Sequence, residues 1–428
     1  MQHRLRNKFN DFANHDATAG IMMLIFTVIA LAYQNSPYAY DYRAWLNTLT
    51  GFVFGNFELI KPLILWINDG IITIFFFSIG LELKHEFMEG QLANKKNILL
   101  PAAAALGGMV TPALVFTLFN YGDPFIMRGW AIPTATDAAF SVAILLLLGS
   151  RVPSSLKIFL LSLAIFDDVG AIVVIALFYT SQLSTLALAG AGIAIVFLAL
   201  LNFFHINRKS IYCVVGIFLW FTILKSGVHA TLAGIITAFF IPLKKNNGQP
   251  LVHEIYDKLK GWIALFILPL FVFANAGIDL QGMDLSMITS NVSLGILLGL
   301  FLGKQWGVFI FALICIKCKL APMPQGANYR QLYGVCILTG IGFTMSMFID
   351  GLAYSGSPIF NYADSLAILL GSLASGVIGY LFLRFFAGNA AKDGPSAKPN
   401  PAPAQESTLA ENPADAKIEE KTAASVTA

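Results

Sequence analysis

Apolar residues run along this chain in long blocks separated by short polar connections. Twelve blocks can be counted, centred near residues 26, 74, 110, 139, 168, 194, 216, 234, 266, 304, 342 and 373. A helix needs roughly 20 apolar residues to cross the hydrocarbon core of a bilayer. The pattern predicts an all-α polytopic membrane protein with twelve transmembrane helices. The seventh and eighth blocks are short, with Lys225 between them, so one merged span is the alternative there. Two blocks are interrupted, the fourth by Pro133 and the eleventh by Gly340-Ile-Gly342. Between the first two blocks, residues 36–62 carry turn signals at Thr50-Gly51 and Gly55-Asn56 among β-formers. They predict a periplasmic β-hairpin at 42–60. From about Asn389 the composition turns to Ala, Pro, Lys, Glu and Ser. The chain therefore divides into a membrane domain, 1–388, and a disordered tail, 389–428.

Basic residues orient the spans, because cytoplasmic loops are enriched in Lys and Arg. With the N-terminus inside and twelve crossings, 22 of the 27 Lys and Arg fall on cytoplasmic segments. Arg43, Lys61, Arg128 and Lys225 fall outside, and Lys304 falls within the membrane. Both termini are then cytoplasmic. Spans three to five (about 99–179) and ten to twelve (about 291–386) each read as helix, interrupted helix, helix. They lie seven spans apart, an odd separation, so the repeats are inverted. Paired interruptions in such repeats point to a transporter's binding site.

Composition agrees. The 428 residues are 57% hydrophobic and only 12% charged, where soluble domains carry about 25%. The net charge of +3 discriminates little. Cys315-Ile-Lys-Cys318 matches C-x-x-C, but without a βαβ context or a second pair it reads as incidental. No phosphate-binding glycine loop, zinc signature or nucleophile elbow occurs, which argues against an ATP-driven motor or an enzyme. Nothing suggests a cofactor or nucleic-acid binding. Arg4, Arg6 and Lys8 precede the apolar run Gly20–Tyr33, and Ala30-Leu31-Ala32 resembles a signal-peptidase site. A retained first helix is the reading adopted here.

Candidate chemistry centres on Ala164–Ala171, AIFDDVGA, where Asp167 and Asp168 fall mid-span. A carboxylate at that depth is costly, and two side by side repel. The pair reads as an ion or proton site. Neighbours on a helix point about 100° apart, so one can face a cavity while the other faces a partner. Lys304, centred in the tenth span behind Gly295, Gly299 and Gly303, is the natural partner. It is either a structural counter-ion or a participant in proton exchange. In the fourth span, AIPTATD places Thr134, Thr136 and Asp137 after Pro133. Proline opens the helix, freed carbonyls and hydroxyls suit a small cation, and Asp137 can offset a positive helix end. The plainer alternative is a proline kink with a capping aspartate. Thr339-Gly-Ile-Gly-Phe-Thr344 is the mirror candidate, with close packing as its alternative. Asp350 lies nearer the outer end, where an interfacial position is open to it, and is given no role.

At the cytoplasmic end of the second span, Glu82, Lys84, His85 and Glu86 form an acidic-basic cluster suited to attracting cations or sensing pH. A solvated helix end is the alternative. Asp69, nearer the outer surface, is a candidate outlet, and His229 a weaker pH-response candidate.

Several motifs resemble the bacterial NhaA sodium/proton antiporter family over about residues 10–386: GWAIPTATDAAF (129–140), SLAIFDDVG (162–170), LKSGVHATLAG (224–234), LPLFVFANAG (268–277) and GIGFTMSMFI (340–349). That family is among the examples behind the inverted-repeat rule, so the two arguments are not independent. The resemblance implies twelve helices with the fourth and eleventh interrupted and crossing. It implies exchange of cytoplasmic Na+ or Li+ for periplasmic H+ across the inner membrane, two protons per cation, favoured at alkaline pH. It casts Asp168 and Asp167 as the ion- and proton-binding pair, Thr136 as their neighbour, and Asp137 and Lys304 as charge compensation. Glu82 and Glu86 match the family's pH-sensing cluster, and the hairpin matches its homodimer contact. His85 stands where the usual pattern has arginine, and Leu251–Lys260 lacks the family's closely spaced histidines, so the activation pH is left open. A sodium-coupled solute symporter of the same architecture is the runner-up. An intramembrane aspartyl protease lacks its Gly-x-Gly-Asp context and leaves Lys304 unexplained.

Overall fold

The computed structural model describes residues 16–54, 57–90, 95–180, 183–245, 248–281, 285–354 and 362–386. The expected tail at 389–428 lies outside these residues, as do Gly55 and Asn56 of the expected hairpin turn.

Among the described residues, nine helices are long and apolar enough to cross a membrane. A tenth is obtained if Tyr329–Leu338 and Phe343–Ala353, bent by 44°, count as one span. A helical segment stands at each of the twelve blocks, but length and apolarity alone mark only nine or ten of the described helices as spans, so they do not establish the expected count of twelve. The eighth block forms only Leu232–Phe240. It does not merge with the seventh, because Gly227 ends Lys209–Ser226 in the left-handed region at φ 87°, where glycine fits without strain. The short helix is packed against the second span, Leu63–Met88. A Cβ at Gly80 would lie 2.8 Å from that of Ala238. The ninth block runs through Leu251–Trp262, a π-turn at Ile263–Ile267 and Leu268–Asn275.

Both halves of the repeat are built alike. Lys95–Asn120 and Ser154–Phe178 flank the broken fourth span, and Asn291–Lys317 and Ala363–Phe385 flank the broken eleventh. The third and tenth spans approach backbone to backbone. A Cβ at Gly107 would lie 2.3 Å from the Gly307 carbonyl, and one at Gly303 would lie 2.8 Å from Pro112 Cα. Small residues permit this approach, and it carries Lys304 into the interior.

The hairpin is present with different bounds. Strands β1 (Leu49–Phe54) and β2 (Phe57–Pro62) pair antiparallel, Leu49 opposite Pro62 and Phe54 opposite Phe57. Residues expected at its start instead form the helix Ala39–Leu46. The cause is Tyr42, whose ring meets Phe273 edge-on at 5.3 Å and whose hydroxyl donates to the Phe273 carbonyl.

Candidate ion site at the crossing of two broken helices

The fourth span enters as a 3-10 coil, Ile126–Thr134, turns extended at Ala135, and resumes as Ala138–Leu147. Pro133, without an N–H, sits where the coil ends. Asp137 caps the second half, its Oδ1 accepting the Phe140 N–H at 3.0 Å. The eleventh span breaks between Leu338 and Phe343. Gly340 and Gly342 allow close approach there, since a Cβ would fall 2.5 Å from the Leu300 carbonyl or 3.1 Å from the Ala135 carbonyl.

The two breaks are tied together. The Asp137 N–H donates to the Ile341 carbonyl at 2.7 Å. Thr344 donates to Asp137 Oδ2 through its hydroxyl at 2.6 Å and its N–H at 3.3 Å. Ser141, one turn past Asp137, donates to the Leu338 carbonyl at 3.0 Å, and Ser346 donates back to the Ile132 carbonyl at 2.7 Å. Each half-helix thus supplies a hydroxyl to the carbonyls freed at the other's break.

Lys304 reaches this crossing from the tenth span, at the end of a π-turn, Gly299–Lys304. A π-turn re-aims a side chain relative to a regular helix. Lys304 is 0% exposed, and its Nζ lies 2.7 Å from Asp167 Oδ2. It also donates to the Thr134 carbonyl, at the negative end of the first half-helix. The Thr136 hydroxyl lies 2.6 Å from Asp167 Oδ2 and 3.0 Å from the Thr339 carbonyl. Asp167 Oδ1 is buried without a hydrogen-bond partner. Asp168 is half-buried, and among the described residues it has neither an ion-pair nor a hydrogen-bond partner. Thr136, Asp137, Asp167 and Lys304 therefore meet at the crossing, Asp168 lies near enough for their charges to be felt there, and the lysine is taken by one aspartate of the two. The available donors are carboxylate, hydroxyl and carbonyl oxygens, which suit a hard cation.

Of the remaining candidates, Glu82 lies near enough to Asp168 for its charge to be felt there, and the others lie farther along the second span or elsewhere. Glu82, His85 and Glu86 sit at the end of the second span, where His85 Nδ1 is 3.9 Å from Glu86 Oε1. The ring of His85 stacks on that of His253 at 5.8 Å, a contact the sequence reading missed. Beside them Lys209, Lys245 and Lys258 surround Glu254 at 2.5, 2.7 and 2.9 Å and hold its carboxyl below the usual carboxylate range. Asp69 is paired with Lys61 at 2.9 Å and lies near enough to His229 for its charge to be felt there. The two cysteines of the C-x-x-C are free, Cys315 buried and Cys318 exposed. Sequence reasoning also missed Ser141 and Ser346, whose only signal was a position four residues beyond each break. Asp350, given no role in the sequence reading, is 8% exposed and so lies inside the protein.

Crossed, broken helices with a buried lysine–aspartate pair define a class, that of multi-pass membrane proteins built on inverted repeats with polar breaks at mid-span. The chain belongs, within that class, to the family described as Na+/H+ antiporter 1, whose sequence profile matches residues 10–383. It is 58% identical over 381 residues to Na(+)/H(+) antiporter NhaA 1 of Campylobacter jejuni subsp. jejuni serotype O:23/36 (strain 81-176), covering 89% of this chain and 98% of the relative. It is 56% identical over 365 residues to Na(+)/H(+) antiporter NhaA 2 of Campylobacter jejuni (strain RM1221), covering 85% and 96%.

Proposed function

We propose that this chain exchanges cytoplasmic Na+ or Li+ for periplasmic H+ across the bacterial inner membrane, with both termini cytoplasmic. Family membership supports the class of exchange. The observation behind the mechanism is the unequal state of two adjacent aspartates: Asp167 is matched by Lys304, whereas Asp168 has no partner among the described residues. An unmatched carboxylate at this depth binds one positive charge, and a proton and a sodium ion compete for it. Asp167 and Thr136, joined by a hydrogen bond, are the proposed source of further oxygens. Asp137 and Lys304 hold the helix ends so that the site keeps its shape as its occupant changes.

Two protons per cation is the proposed stoichiometry, the second coming from the coupled Asp167–Lys304 set. Net charge then moves in each cycle, so the membrane potential drives cation extrusion. Activation at alkaline pH is assigned to the cluster of Glu82, His85 and Glu86, with His229 as a further candidate and Asp69 as an outlet. A homodimer is proposed through the hairpin. Leu49, Phe52 and Val53 are 68%, 63% and 65% exposed there, an apolar edge suited to a second copy.

Reconstituted into liposomes, the protein is expected to move protons in response to a sodium or lithium gradient, faster at alkaline than at acidic pH. An imposed potential should change the rate. Cation-driven solute uptake without proton movement would instead establish a symporter.

A further inference from the structure

A second pair of acidic residues, unused by the exchange mechanism, lies at the outer end of the repeat in the proposed orientation. Asp350 sits on Phe343–Ala353, one turn beyond Ser346, and Asp364 sits in the first turn of Ala363–Phe385. Each is 8% exposed. Ser365 touches both: its N–H donates to Asp364 Oδ1 at 2.8 Å and its side chain hydrogen-bonds the Asp350 carboxyl, whose Oδ1 is buried with no hydrogen-bond partner. The two carboxylates are close enough to repel each other, both act on the Tyr354 hydroxyl, and Asp350 also acts on that of Tyr179. The phenol protons are committed elsewhere. Tyr354 donates to the Ile126 carbonyl at 2.7 Å and Tyr179 to the Arg128 carbonyl at 2.6 Å. Among the described residues, no lysine, arginine or histidine pairs with Asp350 or Asp364.

Two uncompensated carboxylates cannot both stay charged in such a place, because burial removes the water that would screen them. The pair requires one positive charge. A metal cation stripped of water needs a shell of several oxygens, whereas a proton needs only the two it bridges. The position is suggestive too. Asp350 lies on the same helix face as Ser346, whose hydroxyl binds the Ile132 carbonyl beside the break. Eight residues separate it from Gly342, about 12 Å along the helix at 1.5 Å per residue.

We propose that Asp350 and Asp364 form an outer acid site, a carboxyl–carboxylate pair that holds one proton and loads the crossing site from the periplasmic side. The loading role rests on the exchange function proposed above; the proton-holding role does not. Infrared titration of the full-length protein in liposomes tests the second directly. The wild type should show a carboxylic-acid band that Asp350→Asn and Asp364→Asn each remove, that Asp350→Glu restores, and that Asp168→Asn leaves in place. A wild-type protein without that band, or a band unchanged in both Asn variants, would overturn the proposal. So would a band that sodium bleaches at constant pH, because the occupant would then be the metal cation. For loading, Asp350→Asn should keep the maximal exchange rate but shift half-saturation by outer protons by about one pH unit, the scale on which removing a close like charge acts. An unshifted profile contradicts loading. Normal exchange by Asp168→Asn contradicts the crossing mechanism while leaving the infrared result intact.

Discussion

The fourth and eleventh spans solve one problem with different chemistry. Both open at mid-span and leave two half-helix ends of opposite partial charge. The fourth opens at a proline and carries its own acid, Asp137, at the start of its second half. The eleventh opens at glycines, and Gly342 offers no side chain to cap Phe343–Ala353. That helix borrows its cap, since Asp137 takes the Thr344 N–H and hydroxyl from across the crossing. One carboxylate therefore serves two positive helix ends. At the negative end of Ile126–Thr134 the compensating charge again comes from elsewhere, Lys304 of the tenth span. Charge compensation is thus shared between the repeats, and neither broken helix is complete alone.

The largest effect is expected from Lys304→Ala. It strands Asp167 as a buried, unpaired charge and removes the partner of the Thr134 carbonyl. Loss of one member of a buried ion pair costs about 3–5 kcal/mol, which thermal melting of the purified protein should register as a marked drop. An unchanged melting temperature would remove Lys304 from the structural core of the account. Asp137→Ala should come next. It deletes three hydrogen bonds spread over two half-helices but also removes the buried charge, so a loss of ~2 kcal/mol is expected. Thr344→Ala in that background should add little if the cap is shared, and a fully additive double variant would contradict the sharing. The smallest effects belong to Ser141→Ala and Ser346→Ala, each deleting one reciprocal bond worth about 1 kcal/mol. Similar losses in the two variants support the crosswise arrangement, and a large loss in one alone breaks it.

The charged residues of the crossing are legible in the sequence because they cannot hide in apolar blocks. Asp137, Asp167, Asp168 and Lys304 announce themselves by the cost of their position, and Pro133 by the hydrogen bond it cannot make. Which aspartate meets the lysine is not legible. It depends on the π-turn before Lys304 and on how closely Gly303 packs on Pro112, both results of tertiary packing. Ser141 and Ser346 look like ordinary membrane-helix serines until the helices cross. Asp350 sits near a span end, where sequence position alone suggests water, yet packing of its helix against neighbouring segments buries it. The hairpin's bounds shifted because Tyr42 finds Phe273, more than 200 residues away. The eighth block forms only a short helix for a similar reason. A short helix such as Leu232–Phe240 is stable when packed against a neighbour, so an apolar block need not be long enough to cross.

The central claim is that Asp168, left unmatched beside the Asp167–Lys304 pair, is the group that trades a proton for a cation. Adding sodium to the purified full-length protein at alkaline pH, in weakly buffered solution, measures that trade as released protons. The wild type should release protons on addition of sodium or lithium, and Asp168→Asn should release none while keeping the wild-type melting temperature. Proton release by Asp168→Asn at the wild-type level would contradict the account.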